Sequence, residues 1–189
     1  MPRSEQKAKT RQRILEAAGR SFRKGGFGSV GVDGLSKEAG VTSGAFYVHF
    51  DSKAAAFRES VVQGVADVVQ AVQQLRAEHP KDWWIRFVRF YLGAKRKCDL
   101  SESCGLQSLT PEVARADEVS RDAFTAELHK LASAIAAGPR ATDAPSTLEE
   151  SYAALATLIG AVTLARAVND PTVARKIAAT VEQALLPHT

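Results

Sequence analysis

Two cysteines, Cys98 and Cys104, are too few to staple a disulfide scaffold. Their C-x5-C spacing, with no histidine pair nearby, is not a zinc pattern. No uninterrupted apolar run approaches the roughly 18 residues of a membrane span. The start, MPRSEQKAKTRQR, is basic, but no apolar core of a secretory signal follows it. Four histidines occur, at 49, 79, 129 and 188, and none stands in a nucleophile, phosphate-loop or metal motif. Strand alternation and internal repeats are also missing. These absences lead to the expectation of an all-α, cytoplasmic protein that is not an enzyme and carries no cofactor or metal.

What the chain does have is an ordinary globular composition over 189 residues, 45% hydrophobic and 24% charged, enough for one large domain or a small and a larger one. The net charge of +4 is unevenly spread. Residues 1–60 hold eleven Lys/Arg against six Asp/Glu, and the rest holds fourteen against fifteen. The basic excess lies in the first third, the asymmetry of a nucleic-acid-facing end or of a solvated basic face.

Helical periodicity runs almost throughout. From about Thr10 to Lys24, Ile14, Leu15, Ala18 and Phe22 form one stripe, closed by Gly25-Gly26. Val32 to Ala39 makes a short helix stopped by Gly40. Thr42 or Ser43 caps a third, running to about Phe50. Ser52 caps a long fourth helix, Lys53 to about His79, closed by Pro80. DWWIRFVRFYLGA (82–94) precedes a small, polar loop (98–109), and Thr110-Pro111-Glu112 reads as a helix start. Further helices are expected over about 117–137, 148–168 and 171–186. The domain boundary falls near residue 60, giving a small basic domain over 1–60 and a larger helical domain over 61–189.

Two short helices joined at a glycine, with a longer one before them, have the layout of a helix-turn-helix. Val32, Leu35, Val41, Ala45, Phe46 and Phe50 can bury against Ile14, Ala18 and Phe22. Thr42, Ser43, Gly44, Tyr47 and His49 are left on the open side, small at the helix start and hydrogen-bonding further along. Lys53 opens the next helix, where its ammonium and free N–H groups suit one phosphate. The basic residues Arg3, Lys7, Lys9, Arg11 and Arg13 are either an arm for an adjacent minor groove or an uncommitted tail.

The stretch FGSVGVDGLSKEAGVTSGAFYVHFDSKAAAF resembles the DNA-binding signature of TetR-type transcriptional regulators, over about Thr10 to Gln63. It carries the AGV turn, the block Gly44-x-Phe46-Tyr47-x-His49-Phe50 and the Ser52-Lys53 helix start. The resemblance implies that Tyr47, His49 and Lys53 contact phosphates and that Thr42, Ser43 and Ala45 lie near the groove. Gly34, where the family usually has an acid, and Ser43, where a base is frequent, depart from the pattern.

In the larger half, SYAALATLIGAVTLARAV is apolar on nearly every face and should be buried on all sides. Val173, Ile177, Val181 and Leu185 form a stripe on the last helix. The resemblance implies that these two helices pair with their copies in a homodimer reading an inverted-repeat operator on double-stranded DNA. It also implies a cavity for an unidentified small-molecule effector, with Trp84, Phe87, Tyr91, Leu106, Leu109, Phe124 and Tyr152 as its lining. On periodicity alone these aromatics equally fit plain core. Lys95, Arg96 and Lys97 before Cys98 raise the alternative of a thiol-based sensor using Cys98 or Cys104, against idle thiols. A DNA-binding module without a ligand is the remaining alternative.

Overall fold

The computed structural model describes residues 3–188, and every regular element among them is helical. The helices are α1 (Arg3–Gly25), α2 (Val32–Ala39), α3 (Ser43–Tyr47), α4 (Lys53–Glu78), α5 (Trp83–Phe90), α6 (Gly105–Val113), α7 (Glu118–Ala136), α8 (Leu148–Ala167) and α9 (Pro171–Leu185). A π-helical turn, Tyr91–Lys95, extends α5, and 3₁₀ turns cover Phe27–Ser29 and Leu100–Glu102.

Local chemistry sets most boundaries. Thr42 caps α3, its hydroxyl accepting from the Ala45 N–H at 3.2 Å, and Ser52 does the same for Ala55 at 3.0 Å. Thr147 caps α8 through Glu150 N at 3.2 Å, while the Glu150 carboxylate reaches back to Ser146 N at 2.7 Å. Asp170 caps α9 with Pro171 in the first helical position.

Three boundaries differ from the sequence reading. α1 begins at Arg3 rather than Thr10, because no proline interrupts the run and Glu5 precedes Lys9 by the favourable four residues. α3 stops at Tyr47, since the N–H groups of His49 and Phe50 both turn in to Phe46 O, at 2.9 and 3.0 Å. Pro111 does not start a helix: it lies inside α6, which begins six residues earlier, at Gly105. Leu106, Leu109 and Val113 give that helix its buried face, and their three- and four-residue spacing outweighs the polar composition of the segment.

The chain divides into two compact units, Met1–Gly64 with Asp99–Phe124, and Val65–Cys98 with Thr125–Thr189. The first has one core, built from Ile14, Leu15, Ala18, Phe22, Leu35, Phe46, Phe50, Phe57 and Val61 together with Leu109 and Val113 of α6. Phe22, Phe27 and Phe57 contact one another with ring centroids 5.2–5.9 Å apart. α4 and α6 approach so closely that a Cβ on Gly105 would lie 2.8 Å from the Gly64 Cα. Arg23 Nε donates to Ser101 O at 2.7 Å, fastening the segment before α6 to α1.

In the second unit, α8 lies along α9. Trp83, Trp84, Phe87, Val88 and Tyr91 are buried, and Trp83 Nε1 donates to Pro139 O at 3.1 Å. Arg76 holds the last carbonyls of α7, Ala134 O at 2.5 Å and Ala137 O at 2.8 Å. α8 has the length and mean hydropathy (1.2) of a membrane-crossing helix, and only 39% of that apolar window is buried within the chain. The sequence reading expected burial on every side, with an interface supplying part of it. Within the single chain Leu164 is 59% exposed, Val173 of α9 is 41% exposed, and Ile177, Val181 and Leu185 are only partly covered.

Candidate nucleic-acid interface

The geometry of the first unit starts at the α2–α3 turn. Gly40 adopts φ +66°, the left-handed conformation glycine takes without penalty. Its N–H donates to Lys37 O at 3.1 Å, and the Val41 N–H donates to Ser36 O at 2.9 Å. Arg13 then caps the same end of α2, donating to Ala39 O at 2.6 Å and Gly40 O at 3.1 Å. The side chain considered for a mobile arm is therefore a fixed strut between α1 and the turn.

Phe46 and Phe50 are buried, their centroids 5.6 Å apart. Tyr47, next in sequence to Phe46, points outward and is 55% exposed, as helical geometry requires of adjacent positions. Thr42 and Gly44 are exposed, Ser43 and Ala45 half-buried. The Thr42 hydroxyl is occupied in capping, and Ser43 Oγ donates to the exposed carboxylate of Asp33 at 2.5 Å. Two of the hydroxyls at the start of α3 are thus already oriented within the fold.

His49 is half-buried, and its Nδ1 is enclosed without a hydrogen-bond partner among the described residues. Burial first, then the charges of Lys7 and Arg11, hold its imidazole below the ordinary value. Arg11 stands over the Phe50 ring at 4.7 Å and grips both Glu59 oxygens at 2.5 Å, joining α1 to α4.

Lys53 is placed differently from expectation. Its ammonium donates to Phe27 O at 2.9 Å and Val30 O at 3.1 Å, and lies 4.1 Å from the centre of the Phe27 ring. It ties the turn between α1 and α2 to the start of α4, a contact sequence reasoning did not foresee.

The residues named as effector lining fall into both units. Trp84, Phe87 and Tyr91 form a ladder with successive centroids 5.7 Å apart, and the Trp84 indole N–H is buried without a partner among the described residues. Tyr152 is 38% exposed, its hydroxyl 3.0 Å from His129 Nδ1. Leu106 and Leu109 are buried in the first unit, and Phe124 packs against that unit's core. Cys104 is buried. Cys98 is half-buried, donates to Lys95 O at 3.3 Å and has Arg166 Nη2 3.2 Å from its sulfur. Among the described residues no group of three His, Cys, Asp or Glu side chains is arranged to hold a metal ion.

Residues 14–59 match the family described as "Bacterial regulatory proteins, tetR family". The chain is 36% identical over 73 residues to the HTH-type transcriptional regulator AcrR of Shigella flexneri, a match covering 39% of this chain and 34% of that protein. It therefore spans about a third of the curated relative's length. A TetR-family transcriptional regulator from Agrobacterium tumefaciens has a similar structure, with a TM-score of 0.74, 18% identity, and coverage of 94% of this chain and 98% of that one. The reduced form of E. coli NemR aligns with a TM-score of 0.73 and 19% identity, over 93% and 97% of the two chains. The fatty acid degradation regulator FadR from Bacillus halodurans aligns with a TM-score of 0.69 and 16% identity, over 95% of each. Residues 14–59 thus match the tetR-family helix-turn-helix, and they lie in an all-helical fold similar to that of these regulators.

Proposed function

We propose that the chain is a dimeric, sequence-specific transcriptional regulator, acting as a repressor that a small apolar or amphipathic effector releases from its operator. The observation that carries this reading is the corner made by α3 and the start of α4. Tyr47 stands in solvent, and the charges of Lys7 and Arg11 reach the neighbouring His49; Tyr47 and His49 lie within the segment matching the tetR family. Exposed hydroxyls and cations at the end of a helix are what phosphate oxygens engage. Thr42, Ser43, Gly44 and Ala45 are small enough to let α3 enter a major groove.

Dimerisation is supported by the apolar surface that α8 and α9 leave open, which includes Leu164, Val173 and the uncrowded Gly160. Two copies would present their recognition helices to half-sites one DNA turn apart or a multiple of it. The effector is supported by the Trp84–Phe87–Tyr91 ladder and the free Trp84 N–H, a combination suited to an apolar molecule with one acceptor. Release requires that the effector bind the DNA-competent and released states unequally.

Selection from a randomised duplex library, followed by anisotropy on the recovered sequence, tests the reading. Enrichment of an inverted repeat, with binding resistant to unrelated DNA and lost in Tyr47→Ala, is the expected result. Recovery of no preferred sequence would leave only a non-specific module.

A second reading has one observation in its favour: the Arg166 guanidinium beside the Cys98 sulfur, which offers a charge partner to a thiolate. Alkylation of Cys98 that weakens DNA binding would support thiol sensing, and unchanged affinity would remove it.

A further inference from the structure

The first two turns of α1 bury nothing. Every residue from Arg3 to Lys9 is exposed, and the first buried side chain is Ile14. These turns are helical without a core to pack on. Arg3 and Lys7 also sit where the macrodipole is positive and cations are disfavoured, with Glu5 as the acid of the first turn. Cations set against a local preference, on turns that bury nothing, are expected where function supplies the compensation.

Arg3, Lys7 and Arg11 recur at four-residue spacing and so lie in one row along α1. The far end of the row is fixed, since Arg11 is held by Glu59 and stacks over Phe50. One turn back, Lys7 is close enough for its charge to act on His49, the neighbour of Phe50. The row therefore starts at the α3–α4 corner and continues outward along α1, with about 6 Å between successive residues.

We propose that the first two turns of α1 are a second DNA-contacting element, in which Arg3 and Lys7 hold backbone phosphates flanking the groove entered by α3. The inference rests on the DNA-binding reading above and extends its footprint. The partner is a polyanion rather than an apolar surface. Residues 3–10 read RSEQKAKT, with one alanine and no larger apolar side chain, so they offer no face for a membrane or a protein groove. Phosphate contacts of this kind raise affinity and salt dependence without reading sequence.

The test uses the full chain and two duplexes built on the sequence recovered by selection. One is trimmed to the selected bases, and the other carries about ten further base pairs of arbitrary sequence on each side, one helical turn. Wild type is expected to bind the longer duplex about tenfold or more tighter. Arg3→Gln/Lys7→Gln is expected to bind both alike, with a log K against log salt slope shallower by about two per protomer. These side chains are exposed, so an unchanged melting temperature accompanies that result. Hydroxyl-radical footprinting of wild type gives a reading that needs no variant: protected backbone beyond the selected bases is expected. A double variant with the wild-type slope and length dependence, or a footprint ending at the selected bases, overturns the inference while the proposed function stands. A selection that enriches nothing sinks both.

Discussion

Lys53 and His49 show how far a single side chain's role depends on its surroundings. The motif offers Lys53 to a phosphate, yet two of its three donors hold Phe27 O and Val30 O and its charge lies over an aromatic ring. Lys53→Met should therefore lower the stability of the first unit by about 1.5–3 kcal/mol, the range for hydrogen bonds to a charged group. The check is denaturant unfolding alongside DNA titration. A wild-type midpoint with a salt slope reduced by about one would instead make Lys53 a free phosphate ligand. His49 gives a pH prediction. Burial, with Lys7 and Arg11 behind it, holds its pKa down, so the folded head prefers the neutral ring. On acidification the unfolded chain takes up its proton first. The contribution is therefore full above about pH 6.5 and is lost as pH falls below that. A phosphate at the ring reverses the preference, so DNA affinity should rise between about pH 8 and pH 6, and His49→Gln should flatten that profile in anisotropy titrations. The outward Tyr47 and inward Phe46 were legible from helical geometry alone. The partners of Lys53 were not, because they lie 26 and 23 residues away across a turn that carries no periodicity.

At the scale of elements, glycine and cap residues made α2, α4, α8 and α9 readable to within a residue or so at each end. α6 was misread because its serine, glutamine, threonine and proline outweighed three leucine and valine positions at helical spacing. Its contact with α4 at Gly64 and Gly105 leaves no room for a methyl group. Gly105→Ala should cost about 1–3 kcal/mol through overpacking, read as a drop in unfolding midpoint. Gly160 on α8 makes the opposite case, since a Cβ there meets nothing within 4 Å. Gly160→Arg should leave the protomer's helicity intact while shifting its sedimentation from dimer to monomer. A dimer that tolerates this arginine would move the interface elsewhere. The open faces of α8 and α9 could not be told from buried ones in the sequence, because both are written in the same apolar residue types.

For the molecule as a whole, sequence order and physical grouping part company. The head's core is completed by Leu109 and Val113, some fifty residues beyond the helix-turn-helix motif. A fragment ending at Gly64 should therefore melt broadly and bind a dye for exposed apolar surface, and adding a peptide of residues 99–124 should sharpen the transition. A sharp, dye-silent transition in the fragment alone would show the motif to be self-sufficient. That shared core also bears on how such a chain can be rearranged. A recognition motif whose interior is finished by a distant helix is not a cassette: grafted onto another body at residue 60, it would leave behind the two side chains that close its interior. Changes to the outward residues of α3 are best made in place, because the inward ones belong to a structure that extends beyond the motif.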